Sequence, residues 1–463
     1  MRIVVCLRQG LDGDINPFDA CAYEEALRID DAEVILLSMG AIGARDLLQN
    51  LTRLGAKRAI LLNDKSFAGA DTLATAYTLS LAIKKLSADL VFCGRQTLVG
   101  DTAQTGAMLS VYAGLSLITN VMSIDSYDNE RISCTTRSEG AASVALPALL
   151  TIERINTLRL PRIRSRAGEV EVWGAHDIGA DESRIGLIGS PTRVIKTFDN
   201  TSGKRKCQFI SQSRLKWAIT EGLKKNAERI STDLSSDQKL PLICTVGEAP
   251  IPFAKTVADK VTVIPLSDAD SIAKRIKEID PPAVLWGSDT ESKRLSAVIA
   301  AMLGLGLCAD CTALECEGGE LMMYRPAMSG SIIAKIRSIT RPAMATVRTE
   351  SDTSRDVIIA AGFGVKDSLD DVKRLADEVG AELCATRRLV DNGYARYDMQ
   401  VGLTGKTVAP SVYLAIGVSG AVHHIVGMQR SGVVIAIDSD KNAPIFDYAD
   451  FGIVEEFDLS KIN

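Results

Sequence analysis

Residues 89–120 read DLVFCGRQTLVGDTAQTGAMLSVYAGLSLITN: an apolar run, a glycine turn, a polar loop, and a helical stretch that ends in Gly-Leu-x-Leu. Residues 282–310, PAVLWGSDTESKRLSAVIAAMLGLGLCAD, repeat this order. A buried strand that leads through a turn into a helix is the building unit of parallel-sheet proteins. The two segments therefore predict an α/β fold in which this unit occurs twice.

A second pair of segments follows at nearly the same spacing. LPALLTIE (146–153) and RPAMATVR (341–348) carry Pro, Ala and Thr at matching places. Self-similarity at a constant spacing indicates two sister domains in tandem. The alternative is a chance likeness, because the apolar runs of unrelated parallel-sheet domains look alike.

The remaining apolar runs extend this pattern along the chain. Strands alternate with helical stretches, one of which starts at Asn16-Pro17 and another of which ends at Gly380. The fold class that follows is α/β, with two related parallel-sheet, nucleotide-binding-type domains and a doubly wound C-terminal domain. The predicted boundaries are 1–195 for the first domain, 196–206 for a linker, 207–339 for the second domain and 340–463 for the third.

Composition narrows the class of protein. The 463 residues carry a net charge of -5, which gives no reason to expect nucleic acid or an anionic membrane surface as a partner. We expect no membrane insertion, because no apolar run is long enough to cross a bilayer. The ten cysteines lie mostly in strand-like runs, which favours free thiols in a reducing compartment, and hence the cytoplasm.

Residues 400–424, QVGLTGKTVAPSVYLAIGVSGAVHH, are unusually rich in glycine and end in two of the three histidines. Glycine turns after strands expose backbone N–H groups that can bind phosphate. The pattern indicates a nucleotide or dinucleotide site with Thr404, Ser419 and Arg387 as polar contacts. It is also typical of plain tight turns, with capping hydroxyls and a solvated arginine.

Several motifs resemble the electron transfer flavoprotein family. QVGLTGKTVAPSVYLAIGVSGAVHHIVGM (400–428), NAPIFDYADFGIVEE (442–456), RPAMATVR and GLCADCTALE (306–315) are similar to its α subunit. Four earlier segments are similar to its β subunit: INPFDACAYEEALR (15–28), FAGADTLATAYTL (67–79), CGRQTLVGDTAQTG (93–106) and LPALLTIERINTLRLP (146–161). The resemblance covers nearly the whole chain and implies both subunits fused, β first.

The resemblance implies an FAD site in the C-terminal domain. Thr404 would bond the flavin near N5 or O4, His424 would face its O2, Ser419 would contact the pyrophosphate, Arg387 would lie over the ring and Asp450 would hold the adenosine. The further implied residues are Thr386, Gln400, Val401, Gly402, Gly405, Gly417, Gly420 and Asp438. The sequence departs from the family at Phe363, Leu403 and Asp438, where Arg, Gln and Asn are usual, which affects redox tuning.

The β-like part implies a second adenine nucleotide. Its positions are Cys93, Asp101, Gln104, Thr105 and Gly106. In ordinary members of the family this ligand is AMP; in electron-bifurcating members it is a second FAD, which receives hydride from NADH. The loop after the first strand is shorter than usual here, so both ligands stay open.

The implied partners are a flavoprotein dehydrogenase, of acyl-CoA dehydrogenase type, and a quinone- or ferredoxin-linked oxidoreductase. Leu158 or Leu160 in the arginine-rich stretch 156–166 would anchor the dehydrogenase; a solvated loop is the alternative. Cys308 and Cys311 form a C-x-x-C, but no second pair accompanies them, and we expect no metal. The leading function is an electron carrier; the alternatives are an NADH-linked bifurcating flavoprotein with two FADs, or a nucleotide-binding protein that has lost electron transfer.

Overall fold

The computed structural model describes most of the chain. Outside the description lie residues 11–12, 98–99, 101, 138–139, 154, 200–203, 230–237, 328–331, 349–355, 403–404, 407, 409, 430 and 463.

The described residues form strands and helices in alternation. The strands are β1 (Arg2–Leu7), β2 (Glu33–Met39), β3 (Arg58–Leu62), β4 (Leu90–Gly94), β5 (Ser116–Tyr127), β6 (Arg131–Thr136), β7 (Gly140–Ala145), β8 (Ala148–Ile152), β9 (Glu169–Trp173), β10 (Thr192–Asp199), β11 (Gln208–Phe209), β12 (Ile243–Val246), β13 (Val261–Ile264), β14 (Ala283–Trp286), β15 (Leu307–Cys311), β16 (Ala313–Glu317), β17 (Glu320–Ala327), β18 (Ile332–Ser338), β19 (Ala343–Val347), β20 (Val357–Ala361), β21 (Glu382–Ala385), β22 (Val412–Ile416), β23 (Val433–Ile437) and β24 (Phe451–Ile453). The α-helices are α1 (Pro17–Ala26), α2 (Ala44–Thr52), α3 (Thr72–Leu86), α4 (Thr105–Ala113), α5 (Leu215–Arg229), α6 (Ile251–Val257), α7 (Ala269–Ile279), α8 (Thr290–Leu303), α9 (Leu369–Val379), α10 (Arg387–Asp391) and α11 (Val422–Met428).

These elements form two compact units. The first comprises Met1–Thr197, Ser236–Met328 and Ala334–Arg348; the second comprises Phe198–Ser235, Ser329–Ile333 and Thr349–Asn463. Both units contain parallel sheets whose central strands are apolar and buried, as strands covered by helices require. In the first unit, β5, β6 and β7 extend the large sheet with antiparallel pairings, and β16 and β17 also pair antiparallel. The three domain boundaries drawn from the sequence stay a prediction.

The first unit contains the duplication that the sequence predicts. Its nine-stranded sheet has the order β7-β6-β5-β8-β4-β1-β2-β3-β9, and its five-stranded sheet has the order β13-β12-β14-β19-β15. Read along the chain, β1, β2, β4, β5 and β8 occupy the same places in the first sheet as β12, β13, β14, β15 and β19 in the second. The four strands β10-β18-β17-β16 form a further sheet.

Matching residues make matching contacts in the two copies. The Asn120 amide donates to Thr151 Oγ1 at 2.9 Å, and the Asp310 amide donates to Thr346 Oγ1 at 2.8 Å. Both donors have left-handed backbones, with φ of 57° and 52°. The shared topology and these shared details confirm two related domains. Helices α4 and α8, one from each copy, pack against each other within this unit.

The second unit has one parallel sheet, with the order β11-β24-β23-β22-β20-β21. From β20 onward, the strands follow the doubly wound order 2-1-3-4-5, in which the chain changes direction between β20 and β22. This confirms the predicted doubly wound C-terminal domain. Its outermost strand, β11, and helix α5 come from residues 208–229, which precede the second sister domain in the chain.

Helix α5 belongs to this sheet through its apolar face. Leu215, Ala218 and Ile219 are buried in the core of the second unit, and the Trp217 ring meets Phe451 edge-on at 5.6 Å. A Cβ on Gly222 would lie 2.8 Å from a methyl group of Val412, so a glycine is needed for the helix to approach β22 this closely.

Candidate functional site

Glycines shape the loops at the carboxyl ends of β20 and β22. A Cβ on Gly362 would lie 1.8 Å from the Gly417 carbonyl oxygen, and a Cβ on Gly420 would lie 2.2 Å from the Ile445 nitrogen. Gly417 and Gly420 also have positive φ angles of 64° and 85°. These glycines therefore let three loops meet at the point between β20 and β22 where doubly wound sheets bind ligands.

The loop after β22 presents a run of backbone donors. Within the described part of the chain, the N–H groups of residues 418–423 have no hydrogen-bond acceptor, although the neighbouring Gly417 and His424 amides do. Consecutive unsatisfied amides that lead into a helix start make a site for an anion. The donor set of this loop, which includes Ser419 and Gly420, fits a pyrophosphate.

Thr386 and Arg387 lie beside this loop, at the end of β21. The Thr386 amide donates to the Ala361 carbonyl at 2.9 Å, and its buried Oγ1 has no partner among the described residues. Arg387 begins α10 and pairs with Asp391 at 3.1 Å. Burial and, next, the charge of Arg387 lower the pKa of His423.

His424 is buried, and its Nε2 lies 2.9 Å from the Tyr413 hydroxyl. Burial lowers the pKa of His424 to about 4, an effect that the backbone of Val401 partly offsets. The imidazole is therefore neutral at physiological pH and offers a hydrogen bond rather than a full charge. Its predicted role at the flavin O2 stays a prediction.

The segment before β22 folds against His423 and His424. A Cβ on Gly402 would lie 2.8 Å from the His423 carbonyl oxygen, and one on Gly405 would lie 2.1 Å from the Gln400 carbonyl oxygen. Gln400 and Val401 are buried beside them. Thr404 and the variant position Leu403 lie outside the described residues, so their roles stay predictions.

The two aspartates of the predicted FAD site have contacts within the protein. Asp438 Oδ1 accepts from the Asp440 amide at 2.9 Å. Asp450 Oδ2 pairs with Arg205 and accepts from the Val434 amide at 2.8 Å. Arg205 also donates to the carbonyls of Ser431 and Gly432, so Asp450 ties the segment before β11 to the sheet.

Phe363, which stands where the family has arginine, joins an aromatic cluster. The guanidinium of Arg388 lies 4.1 Å from its ring centroid, and Tyr394 meets it edge-on at 6.3 Å. A positive charge thus remains at this edge of the sheet, although on a different residue.

The first unit contains a cavity of about 610 Å³ at the carboxyl ends of β1, β2 and β4. Cys93, Thr105 and Gly106 of the predicted second site line it. Gln104 is buried beside them, and its side-chain oxygen and nitrogen have no partner among the described residues. Asp101 lies outside the described residues. Position and lining match the nucleotide crevice of a parallel sheet.

Asp19 joins the ends of two central strands at this cavity. Its carboxylate accepts from the Arg8 amide at 2.8 Å and from the Gly94 amide at 3.1 Å. Burial raises the pKa of Asp19 to about 7, against the opposing effect of these hydrogen bonds.

The sequence did not predict one wall of the cavity, which residues of the second sister domain form. Leu307, Cys308, Arg325 and Ile336 all line it. No local motif links them to the loop after β4, because Arg325 lies 225 residues beyond the Gly100 that it contacts. Cys308 and Cys311 are buried free thiols, and the described residues hold no cluster of three or more side chains suited to a metal.

The arginine-rich stretch contains both leucines that were predicted to anchor a partner, and their exposure differs. Leu158 packs partly against the core, whereas Leu160 is 87% exposed and Ile163 is 99% exposed. The Arg159 side chain between them is fixed by Glu24 at 2.9 Å. Leu160 and Ile163 are therefore the side chains that a partner could bury here.

Two of the sheets have a crevice at the switch point. One crevice presents a row of amides that have no acceptor among the described residues, and the other contains a cavity. This arrangement defines a nucleotide-binding α/β protein. A family model described as "Electron transfer flavoprotein domain" matches residues 3–178 and again 257–361. A second model, "Electron transfer flavoprotein FAD-binding domain", matches residues 353–429. The chain belongs to the electron transfer flavoprotein family. Its function is electron transfer, and its C-terminal domain binds FAD.

Individual relatives each match part of the chain. Protein FixA of Bradyrhizobium diazoefficiens is 36% identical over 250 residues, which are 50% of this chain and 87% of that protein. The electron transfer flavoprotein subunit beta of Clostridium acetobutylicum is 39% identical over 202 residues, 41% of this chain and 78% of the subunit. The subunit alpha of Thermoanaerobacterium thermosaccharolyticum is 36% identical over 240 residues, 42% of this chain and 72% of the subunit.

These matches confirm the fusion of a β-like and an α-like part in one polypeptide. The repeated match of a single family model also agrees with the duplicated topology of the first unit. As for membranes, none of the described helices combines the length and apolar character that crossing a bilayer requires.

Proposed function

We propose that this chain carries electrons between a flavoprotein dehydrogenase of acyl-CoA dehydrogenase type and a quinone- or ferredoxin-linked oxidoreductase. The observation that supports it best is the run of amides over residues 418–423 that have no acceptor among the described residues, at the switch point of the sheet that carries the FAD-binding match. FAD, when bound, supplies the redox chemistry.

The protein's own groups have distinct tasks in this proposal. The amides of residues 418–423 bind the pyrophosphate, and the unpartnered Thr386 hydroxyl offers a further hydrogen bond. Arg387 supplies positive charge on the side of the β22 loop, which favours a reduced and more negative ligand. His424 is neutral and forms a hydrogen bond with Tyr413, so it can donate or accept a hydrogen bond without adding charge to the site.

The test of this proposal is direct electron transfer to the purified chain. Protein expressed with ample riboflavin is mixed with a substrate-reduced acyl-CoA dehydrogenase, and the bleaching of its flavin absorbance is followed. We expect bleaching, and reoxidation when a quinone-linked oxidoreductase is added. FAD that stays oxidised with every dehydrogenase of this type would refute the partner while leaving the FAD site intact.

The cavity of the first unit supports a second adenine nucleotide, AMP or another FAD. Its volume of about 610 Å³ is within the range of ~300–1,000 Å³ that small-ligand pockets occupy, and Thr105 and Gly106 line it at the start of α4. Mass spectrometry of the ligands released by denaturation distinguishes the cases. One FAD with AMP fits the carrier, whereas two FADs per chain fit the NADH-linked bifurcating alternative.

A further inference from the structure

Two buried cysteines of strand β15 face the same side of the five-stranded sheet. Cys308 pairs with Ala345 of β19, and Cys311 pairs with Val347, so three steps along β15 match two steps along β19. The extra residue is accommodated by an irregularity in which Asp310 has a left-handed backbone, with φ of 52°. Because side chains alternate between the two faces of a strand, the partners of Ala345 and Val347 share one face. Both thiols accordingly lie in the same apolar cluster, and both are free.

The two cysteines act on each other's ionisation. Cys311 Sγ lies 3.8 Å from the Cys308 carbonyl oxygen. A hydrogen bond from the Cys311 side chain lowers the pKa of the Cys308 thiol, although burial opposes this effect. Burial, together with the interaction with Cys308, raises the pKa of Cys311 well above its ordinary value. Cys308 is therefore the thiol of the pair that ionises first, and Cys311 keeps its proton.

Cys308 is also the member of the pair that a small molecule reaches first. It lines the cavity of the first unit, whereas Cys311 is completely buried. The thiolate is the nucleophilic form of cysteine, and redox-active cysteines combine such a thiolate with a second thiol nearby. Access and ionisation thus assign the same order, with Cys308 as the attacking group and Cys311 as the resolving group.

A second pair of thiols at the same cavity does not have this order. Cys6 and Cys93 are register partners on the parallel strands β1 and β4, and both line the cavity. The hydrogen bond with Cys6 and burial raise the pKa of Cys93 well above its ordinary value, and the charge of Asp19 adds to this effect. The two pairs share one route of access and differ in ionisation, so Cys6 and Cys93 are a matched control.

We propose that Cys308 and Cys311 form a redox-active dithiol, which a peroxide that enters the cavity converts to an intramolecular disulfide. The Cys308 thiolate attacks one peroxide oxygen, the O–O bond breaks, and the departing hydroxide takes up the proton that Cys308 released, giving water. The Cys311 thiol then attacks the sulfur of the resulting sulfenic acid. The S–S bond forms, the S–O bond breaks, and a second water leaves with the Cys311 proton.

In sum, two thiols and one peroxide give one disulfide and two waters. Two electrons pass from the sulfurs to the peroxide, and a dithiol reductant returns them by thiol–disulfide exchange. This site does not depend on the FAD of the second unit or on the identity of the second nucleotide. It would give the first unit a two-electron redox centre of its own.

The experiment uses the full-length protein with FAD bound, first reduced with dithiothreitol and then freed of the reductant. After a timed exposure to hydrogen peroxide, free thiols are blocked with light N-ethylmaleimide, disulfides are reduced, and the new thiols are blocked with the heavy reagent. Peptide mass spectrometry then reads each cysteine separately. Wild type is compared with Cys311→Ser, Cys308→Ser and the control Cys6→Ser, and circular dichroism shows that each variant is folded.

We expect Cys308 and Cys311 to become linked in the wild type at least about tenfold faster than Cys6 and Cys93, since one pKa unit changes the thiolate fraction about tenfold. Dithiothreitol should restore both thiols. Cys311→Ser should stop at a sulfenic acid on Cys308, which dimedone captures. Cys308→Ser should leave Cys311 reduced, and Cys6→Ser should behave as the wild type.

Two results would overturn the assignment. If Cys308 and Cys311 stay reduced while other cysteines of the wild type are oxidised, the pair is an inert part of the core. If dimedone labels Cys311 in Cys308→Ser but does not label Cys308 in Cys311→Ser, the order of attack is wrong. The first result needs no variant, so it is decisive even if a substitution prevents folding.

Discussion

At the scale of single residues, Asp19 shows a conflict between burial and hydrogen bonding. Its carboxylate accepts from two backbone amides, yet burial raises its pKa to about 7. Between about pH 4 and pH 7 the native state therefore binds a proton that the unfolded chain has released. The stability that this proton contributes is present in full below pH 4 and is lost as the pH rises through 7.

Asp19→Asn should flatten this dependence. Between pH 5.5 and pH 8 we expect the wild type to lose on the order of 1–2 kcal/mol of unfolding free energy relative to the variant, because ~1.4 kcal/mol corresponds to one pKa unit. Urea unfolding at both pH values measures the difference. Parallel pH profiles of the two proteins would show that Asp19 does not titrate in this range.

Arg387→Gln should lower the FAD reduction potential by on the order of 30 mV, about 1.4 kcal/mol for two electrons. The reason is the loss of a positive charge that favours the reduced, more negative ligand. A redox titration with dyes measures it, with the exposed Arg374→Gln on α9 as the control. An unchanged potential would place Arg387 away from the ring; loss of FAD would assign it to binding instead.

Which residues can be predicted from sequence depends on how local their partners are. Ser419 and Gly420 follow directly from glycine turns after a strand, and the structure places them in the row of free amides. Arg325 could not be predicted, because its position relative to the β4 loop is set by how the two copies pack. The pairing of Asp450 with Arg205 was hidden for the same reason, since 245 residues separate the two.

At the scale of elements, strands and helix ends were the most predictable features. Asn16-Pro17 begins α1, and Gly380 ends α9 with a left-handed backbone, as their residue types require. An amphipathic pattern predicts a helix but does not indicate which sheet the helix packs against. The structure places α5 on the sheet of the second unit, where Leu215, Ala218 and Ile219 are buried.

A substitution at the start of α4 should remove one of the two ligands and leave the other bound. We expect Thr105→Val to strip the second nucleotide while the FAD of the second unit stays bound, because Thr105 lines the cavity of the first unit. Mass spectrometry of released ligands measures both. A variant that keeps every nucleotide would make this loop merely a helix start.

The exposed stretch that carries Leu160 and Ile163 should act in docking. Replacing both with Ala should raise the KM for a dehydrogenase partner about tenfold or more, since buried apolar anchors dominate such contacts. FAD content should not change. The matched control is Ile42→Ala, an exposed apolar residue elsewhere in the first unit. A KM that moves equally in the control would exclude a specific role for this stretch.

At the scale of the whole molecule, the chain passes from the first unit to the second and back. Residues 204–229 join the second unit before the second sister domain begins, so each unit is built from stretches that are separated along the chain. Sequence could predict the duplication, because it repeats within one chain. It could not predict this interleaving, which has no signature in composition or period.

A protease site inserted within residues 230–237 tests the interleaving. After cleavage we expect both fragments to elute together and to keep the FAD, because α5 stays packed on β22 and β23 and α4 stays packed on α8. Size-exclusion chromatography with flavin absorbance measures this. Fragments that separate without denaturant would mean that these contacts are too weak to hold the two fragments together.

The same interleaving bears on why the two parts form one polypeptide. If a cut within residues 230–237 leaves both units complete, the peptide link at that point contributes nothing to the architecture. It acts instead on assembly: each ribosome delivers the two parts in equal numbers, and they meet at the millimolar effective concentration that a short tether imposes. Even at low expression, neither part would then occur without the other, and no incomplete sheet edge would be exposed to aggregation.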